Sequence, residues 1–225
     1  NNWYYLDSDG EMAIDTLIED GDNYYYVDVN GVMASNQWVA IENEDAGEDD
    51  EPDNYWYYFQ ANGKAYKQGD NSDVALKTIN GKKYAFDEYG AMVAEWSLDE
   101  DDLPGNGGLA SFSSAIASTS EVKVGKAADS KYSQAWKYFN SVEDGSRISK
   151  GWFKVVSAEY LNEDKYNDDE DSWYYADGSG NLYAGEFKTI KGKKYAFRDD
   201  GRMVDGLKFI KDDENGHLDI KADDD

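Results

Sequence analysis

Aromatic and β-branched residues come in short runs along this chain, each running into a polar turn and a glycine. The runs read WYYLDSDGEM from Trp3, YYYVDVNGVM from Tyr24, WYYFQANGKA from Trp56, KYAFDEYGAM from Lys83, WKYFNSVEDGSR from Trp136, WYYADGSGNL from Trp173 and KYAFRDDGRM from Lys194. Their glycines are Gly10, Gly31, Gly63, Gly90, Gly145, Gly180 and Gly201. In six of the seven the run opens seven residues before the glycine, and the fifth carries two extra residues. Steps of 21, 32, 27, 55, 35 and 21 residues between glycines fit a unit of about 20 with insertions. A run of β-formers entering an Asp/Asn/Ser-rich turn closed by glycine predicts a β-hairpin. A lone hairpin is marginal. Seven of one spacing therefore predict an all-β fold, an elongated solenoid of stacked β-hairpins over residues 1–225 in which stacking makes the core.

Alternation along a strand divides each run between two faces. Second and fourth positions are Tyr4/Leu6, Tyr25/Val27, Tyr57/Phe59, Tyr84/Phe86, Tyr174/Ala176 and Tyr195/Phe197, with Lys137/Phe139 the exception. This face is expected to be the core. First and third positions are Trp3/Tyr5, Tyr24/Tyr26, Trp56/Tyr58, Lys83/Ala85, Trp136/Tyr138, Trp173/Tyr175 and Lys194/Ala196. A face that alternates Trp with Lys is expected to line a groove, with Lys83 and Lys194 outward and Tyr84 and Tyr195 inward.

A longer repeat overlies the short one. KTINGKKYAFDEYGAMV at 77–93 returns as KTIKGKKYAFRDDGRMV at 188–204, with twelve of seventeen positions identical. Each copy closes a two-hairpin superunit, 38–96 and 152–207, that opens on Trp38 or Trp152 and passes through an acidic stretch. Those stretches hold eight acids in residues 42–53 and six in 163–171, and are expected to be exposed loops. Between the copies, residues 97–131 are poor in rings and rich in Ser, Ala and Gly, which reads as an irregular insertion.

Composition alters this picture less than it first suggests. Leu, Ile, Val and Phe number 39 and the net charge is −26, values typical of disorder. Here 34 aromatic rings supply the apolar area instead. With no Cys and a single His, His217, there is no thiol nucleophile, no Ser/His/Asp triad and no multi-His metal centre. DSDGE at 7–11 and DGSGN at 177–181 are only fragments of a calcium loop. No metal or cofactor is expected, and no apolar run is long enough to cross a bilayer. So acidic a chain repels nucleic acid and anionic membrane. Acidic pairs are too many to single out a hydrolase site, whose two carboxyls must flank a cleft; the chain is not expected to be an enzyme.

The grammar resembles the cell-wall-binding repeats of Gram-positive surface proteins, the choline-binding and glucan-binding family. The residues that carry it are Gly151-Trp152, the W-Y-Y triplets at 3, 56 and 173, and the G-x-M endings Gly10/Met12, Gly31/Met33, Gly90/Met92 and Gly201/Met203. It covers nearly the whole chain outside 97–131. The resemblance implies a non-catalytic module, secreted and held at the cell surface, with any export signal removed or outside this chain. It also implies attachment to choline-bearing teichoic acid or to glucan through pockets of aromatic rings between hairpins.

Position by position, the family's leading Trp matches Trp38, Trp96 and Trp152, and its W-Y-Y Trp matches Trp3, Trp56, Trp136 and Trp173. Tyr58 and Tyr175 share the groove face with them, and the pairs Trp38/Trp56 and Trp152/Trp173 are expected to wall two pockets. Leu207, Glu186 and Asp70 stand where three further leading tryptophans would be. Lys83 and Lys194 would oppose a quaternary ammonium but suit sugar hydroxyls, which favours carbohydrate or wall polymer in general over choline. A spacer or adhesin stalk with vestigial pockets is the competing reading.

Overall fold

In a computed structural model the described residues are 1–48, 51–69, 75–99, 109–110, 130–206, 209–212 and 218–220. Most of the insertion expected at 97–131, together with Asp70, Leu207 and His217, lies outside them. The chain divides into two compact units, residues 1–94 with 141–145, and residues 95–140 with 146–225.

Strands pair as successive antiparallel hairpins. In the first unit β1 (Thr16–Asp20) pairs with β2 (Asn23–Val27), β3 (Gln37–Glu42) with β4 (Asn54–Phe59), and β5 (Ala75–Ile79) with β6 (Lys82–Phe86). In the second unit β7 (Glu95–Asp99) lies between β8 (Leu109–Ala110) and β9 (Trp136–Phe139). There β10 (Gly151–Val156) pairs with β11 (Asp171–Ala176), β12 (Glu186–Ile190) with β13 (Lys193–Phe197), and β14 (Ile210–Asp212) with β15 (Leu218–Ile220). Among the described residues two short helices interrupt the second unit, α1 (Ser130–Gln134) and α2 (Glu163–Asn167). Tight turns set the register: Asn80-Gly81 and Lys191-Gly192 have positive φ at both residues, the geometry that matches the twist of a two-residue hairpin.

Each run closes in the same way. Its fourth residue forms a β-bridge with the residue two past the glycine, from Leu6 with Met12 through Phe197 with Met203. In four of the seven an aspartate at the head of the turn accepts two N–H bonds on one carboxylate oxygen, as Asp28 does from Asn30 at 2.8 Å and Val32 at 2.9 Å. Successive hairpins are then tied by backbone. At four of the glycines the N–H two residues on donates to the carbonyl that opens the preceding run: Met33 to Trp3 (2.9 Å), Ala65 to Tyr24 (2.9 Å), Met92 to Trp56 (2.8 Å) and Met203 to Trp173 (2.8 Å). A residue at that place also packs on the next glycine, Met12 on Gly31, Met33 on Gly63, Met92 on Gly145 and Leu182 on Gly201.

The expected core face holds from the second hairpin onward. Val27, Tyr57, Phe59, Tyr84, Phe86, Phe139, Tyr174, Ala176 and Phe197 are buried, and Tyr25 and Tyr195 are half-buried. Tyr4 and Leu6 depart from it. They are exposed, whereas in a later hairpin Leu17, Tyr24 and Tyr26 cover Tyr57 and Phe59. Lys137 is buried, its ammonium donating to the Asn181 side chain.

The groove face is less uniform than alternation predicts. Lys83 and Lys194 are exposed, but Ala85 and Ala196 beside them are buried, because a methyl at the third position lets the neighbouring hairpin close over it. Of the acidic stretches, 43–48 and 51–53 are loop. The second was expected to be loop and instead contains α2, one turn capped by the Asn162 side chain, which accepts the Lys165 N–H at 3.1 Å. Asp164 and residues 166–171 on this stretch are exposed.

If glycine contacts set the stacking, two alanine substitutions will differ. Gly192 has φ +79° with nothing near its missing Cβ, whereas at Gly201 (φ +88°) a Cβ would lie 3.0 Å from the buried Leu182 Cδ1. Gly192→Ala should cost about 1–2 kcal/mol from backbone strain alone, and Gly201→Ala should cost more by about 1–3 kcal/mol of overpacking. Urea unfolding of the two variants checks this; equal losses would remove the packing role.

Candidate functional site

Four apolar side chains from two successive hairpins enclose a hollow of 260 Å³ in the first unit: Trp38 on β3, Trp56 on β4, and Tyr84 and Met92 from the β6 hairpin. Glu143 and Asp144 complete its rim. The inter-hairpin bond of Met92 to the Trp56 carbonyl brings these residues together. Trp38 is locked by its neighbours, edge-on to Tyr84 at 4.9 Å and to Tyr58 at 5.2 Å, and stacked on Phe86 at 5.7 Å. Tyr58 stacks in turn on Tyr66 at 5.5 Å and so braces Trp38 from behind. Lys83 hydrogen-bonds Thr78 across its own hairpin and is absent from the lining.

The second superunit repeats this geometry within the second unit. Trp152 stands edge-on to Tyr195 at 4.8 Å and to Tyr175 at 5.2 Å, and stacks on Phe197 at 5.7 Å. Tyr175 is backed by Tyr183 at 5.1 Å, as Tyr58 is by Tyr66. Trp173 lies perpendicular to Trp152 at 6.3 Å, and the Met203 N–H reaches the Trp173 carbonyl. Trp173 is 43% exposed. The Lys194 ammonium sits 4.4 Å from the Phe187 ring on its own hairpin.

The remaining sequence candidates have different surroundings. Trp3 is 71% exposed and, with Tyr25 and Met33, lines a smaller hollow of 160 Å³ in the first unit. Trp96 pairs across to Tyr138 as Trp38 does to Tyr58, its indole N–H donating to the Val156 carbonyl at 2.9 Å. Trp136 corrects the groove expectation. Its ring is 1% exposed, with Tyr132 of α1 packed edge-on at 6.2 Å and Trp96 at 6.2 Å, so this third arrangement is closed by the helix.

Tyr84, Tyr195, Met92 and Met203 were not among the sequence candidates for the site. The G-x-M endings were their signal, since a methionine at that place must face the run before it. Glu143 and Asp144 sit in the two-residue insertion of the fifth run, a departure that marks a turn with something added. Among the described residues no three acids or histidines gather to hold a metal ion, and no helix is long and apolar enough to cross a membrane.

Comparison with known proteins bears on the repeats and the fold. The choline-binding repeat matches residues 1–38, and the cell wall binding repeat matches residues 51–65. Those two stretches carry repeats of the choline-binding, cell-wall-binding type. Among solved structures the chain is similar to CbpF in complex with ipratropium, at 22% identity and a TM-score of 0.50, covering 91% of this chain and 42% of CbpF. It is also similar to the modular autolysin LytC from Streptococcus pneumoniae (17% identity, 96% of this chain and 40% of LytC, TM-score 0.40). A third is the choline-binding domain of CbpL from Streptococcus pneumoniae (17% identity, 90% and 82%, TM-score 0.30). The likeness to CbpF is one of fold, and this chain spans less than half the length of CbpF and of LytC. A search of curated protein sequences found no match.

Several of the rings that brace these hairpins are held away from water, and their acidity records it. Burial, with the Glu95 and Asp171 charges adding to it, pushes the Tyr138 phenol up to about 12, and burial raises Tyr174 further. Tyr26 and Tyr55 also rise to about 12, from burial first and then from donating to Asp15 and Glu51. A phenol whose folded pKa exceeds the unfolded value near 10 contributes stability that is whole below pH 10 and lost as pH rises to 12. Absorbance at 295 nm should therefore still be rising at about pH 11–12, where these four ionise together with unfolding. A single step near pH 10 with the fold intact would contradict the burial.

Proposed function

We propose that this chain is a non-catalytic cell-surface module that holds the quaternary ammonium groups of a wall polymer, choline on teichoic acid, in aromatic cages between successive hairpins. The observation that carries it is the hollow walled by Trp38, Trp56, Tyr84 and Met92. A cation over the face of such rings gains about 0.5–2 kcal/mol per good contact. Glu143 and Asp144 at the rim add attraction for a positive charge and none for a neutral sugar. The objection from lysine loses its footing here, because Lys83 bonds Thr78 instead of entering the cage. Stacking on glucan is the second reading, favoured by the exposed faces of Trp3 and Trp173.

Retention on purified walls separates these readings. Free choline at millimolar concentration should release the protein, and α-glucan should not. Trp56→Ala or Trp173→Ala should each weaken retention, and the double variant should lose about 100-fold or more because two linked sites act by avidity. Thermal melts should show the double variant folded, whereas Phe197→Ala, a fully buried ring, should lose about 3–5 kcal/mol. Retention of a folded double variant at the original strength would refute the cages; release by glucan and not choline would establish the second reading.

A further inference from the structure

Five Asn-Gly pairs stand in this sequence, opening at Asn30, Asn62, Asn80, Asn106 and Asn215, and the last two lie outside the described residues. An asparagine followed by glycine can lose its amide to its own backbone, because the glycine nitrogen has no Cβ beside it to hinder attack on the side-chain carbonyl. The three described pairs sit in two kinds of turn. Asn30-Gly31 and Asn62-Gly63 lie in turns that close a run, where the glycine N–H donates to the Asp28 carbonyl at 2.8 Å and to the Gln60 carbonyl at 2.9 Å. Both glycines are buried, under Met12 and Met33. The Asn62 side-chain oxygen is itself engaged, accepting the Lys64 N–H at 3.0 Å.

Asn80-Gly81 is placed differently. It is the two-residue turn between β5 and β6, where Ile79 and Lys82 are the last pair of the ladder, so the hairpin asks nothing of the Gly81 N–H. Among the described residues neither that N–H nor the Asn80 side chain has a hydrogen-bond partner. Both residues are exposed, and a Cβ at Gly81 would meet nothing within 4 Å. Local sequence does not set this pair apart, since Asn62 and Asn80 are both followed by Gly-Lys. The second copy of the closing phrase keeps the turn but not the chemistry. Lys191-Gly192 has φ of 47° and 79° against 49° and 81° at Asn80-Gly81, and lysine has no side-chain carbonyl.

We propose that Asn80-Gly81 is a self-modification site, at which the turn deamidates without an enzyme. The Gly81 nitrogen gives its proton to water and bonds to the Asn80 Cγ; the Cγ–Nδ2 bond breaks and ammonia leaves with a proton, closing a cyclic imide. Water then adds to one imide carbonyl and breaks its bond to nitrogen. Opening at Cγ gives an aspartyl residue, and opening at the main-chain carbonyl gives an isoaspartyl residue, whose chain runs through Cβ and Cγ. Either way an amide and a water become a carboxylate and ammonium, with nothing oxidised or reduced. The isoaspartyl product adds one backbone carbon to a turn whose length fixes the β5–β6 register. That register sets Tyr84 opposite Lys77 and Phe86 opposite Ala75, and it holds the two rings against Trp38 at 4.9 and 5.7 Å. Modification therefore loosens the closing hairpin of the first superunit and spares that of the second. It depends on the turn alone and not on what either hollow binds.

Ageing the full chain at mildly alkaline pH tests it, with peptide mapping by mass spectrometry and enzymatic methylation of isoaspartyl carboxylates as readouts. Asn80 should convert about tenfold or more faster than Asn30 and Asn62, the factor set by the backbone hydrogen bond that those two turns must first break. In urea Asn62 and Asn80 should convert at equal rates, because they share the following Gly-Lys. Asn80→Lys, which writes the second copy's turn into the first, should release no ammonia from this site. Hydrogen exchange of the β5–β6 amides should be faster in the isoaspartyl fraction than in Asn80→Asp, with β12–β13 unaltered in both. Conversion at Asn80 no faster than at Asn62 in the folded chain, or the same lead persisting in urea, would overturn the site. Unaltered β5–β6 protection in the isoaspartyl fraction would overturn its effect on the hairpin.

Discussion

One backbone hydrogen bond, from the N–H two past a glycine to the carbonyl that opens the preceding run, sets the spacing of everything else. It is made by Met33, Ala65, Met92 and Met203, and it holds each hairpin at a fixed offset from the one before. Because Met33 and Met92 also pack on the next glycine, Gly63 and Gly145, a side chain there would meet the stack. Hairpins that could not bury their own faces thereby share one core, and the core is aromatic because rings supply the area that 39 aliphatic and phenylalanine residues in 225 do not.

The same bond builds the cages. Drawing the Met92 backbone against Trp56 sets the methionine beside the indole, and the Phe86–Met92 bridge fixes Tyr84 within reach of Trp38. The cage is therefore a consequence of stacking in register, and its walls are locked by the contacts that stabilise the fold. What remains free to vary is the rim, which faces solvent. Glu143 and Asp144 sit there, in a turn closed by backbone bonds to Ser141.

Repeats, hairpins and the core face were legible in the sequence because period and alternation are backbone properties that the side chains of every unit obey. The two leading tryptophans, Trp38 and Trp152, were legible for the same reason. Legibility failed where a tertiary neighbour decides the outcome. Trp136 has the same place in its run as Trp56 and Trp173, but α1 lies over it, and nothing in the WKYF run announces that helix. Lys83 looked like an obstacle to a cation until Thr78, across the turn, supplied its hydrogen bond. Tyr84 and Tyr195 were assigned to the core by alternation and are nonetheless close to the leading tryptophans, since a ring is large enough to serve a core with one face and a cavity with its edge.

The central claim is that the residue which stacks the hairpins is also a wall of the binding cage. Four methionines make this directly measurable, because each gives one methyl signal in a sample labelled at the methionine methyl carbon. On titration with choline, the Met92 and Met203 methyl resonances should move together with the binding curve. Met12 packs on Gly31 and lines neither hollow of the first unit, and its resonance should stay in place. Still resonances at Met92 and Met203 in the presence of bound choline, or equal movement of all four methyls, would contradict it.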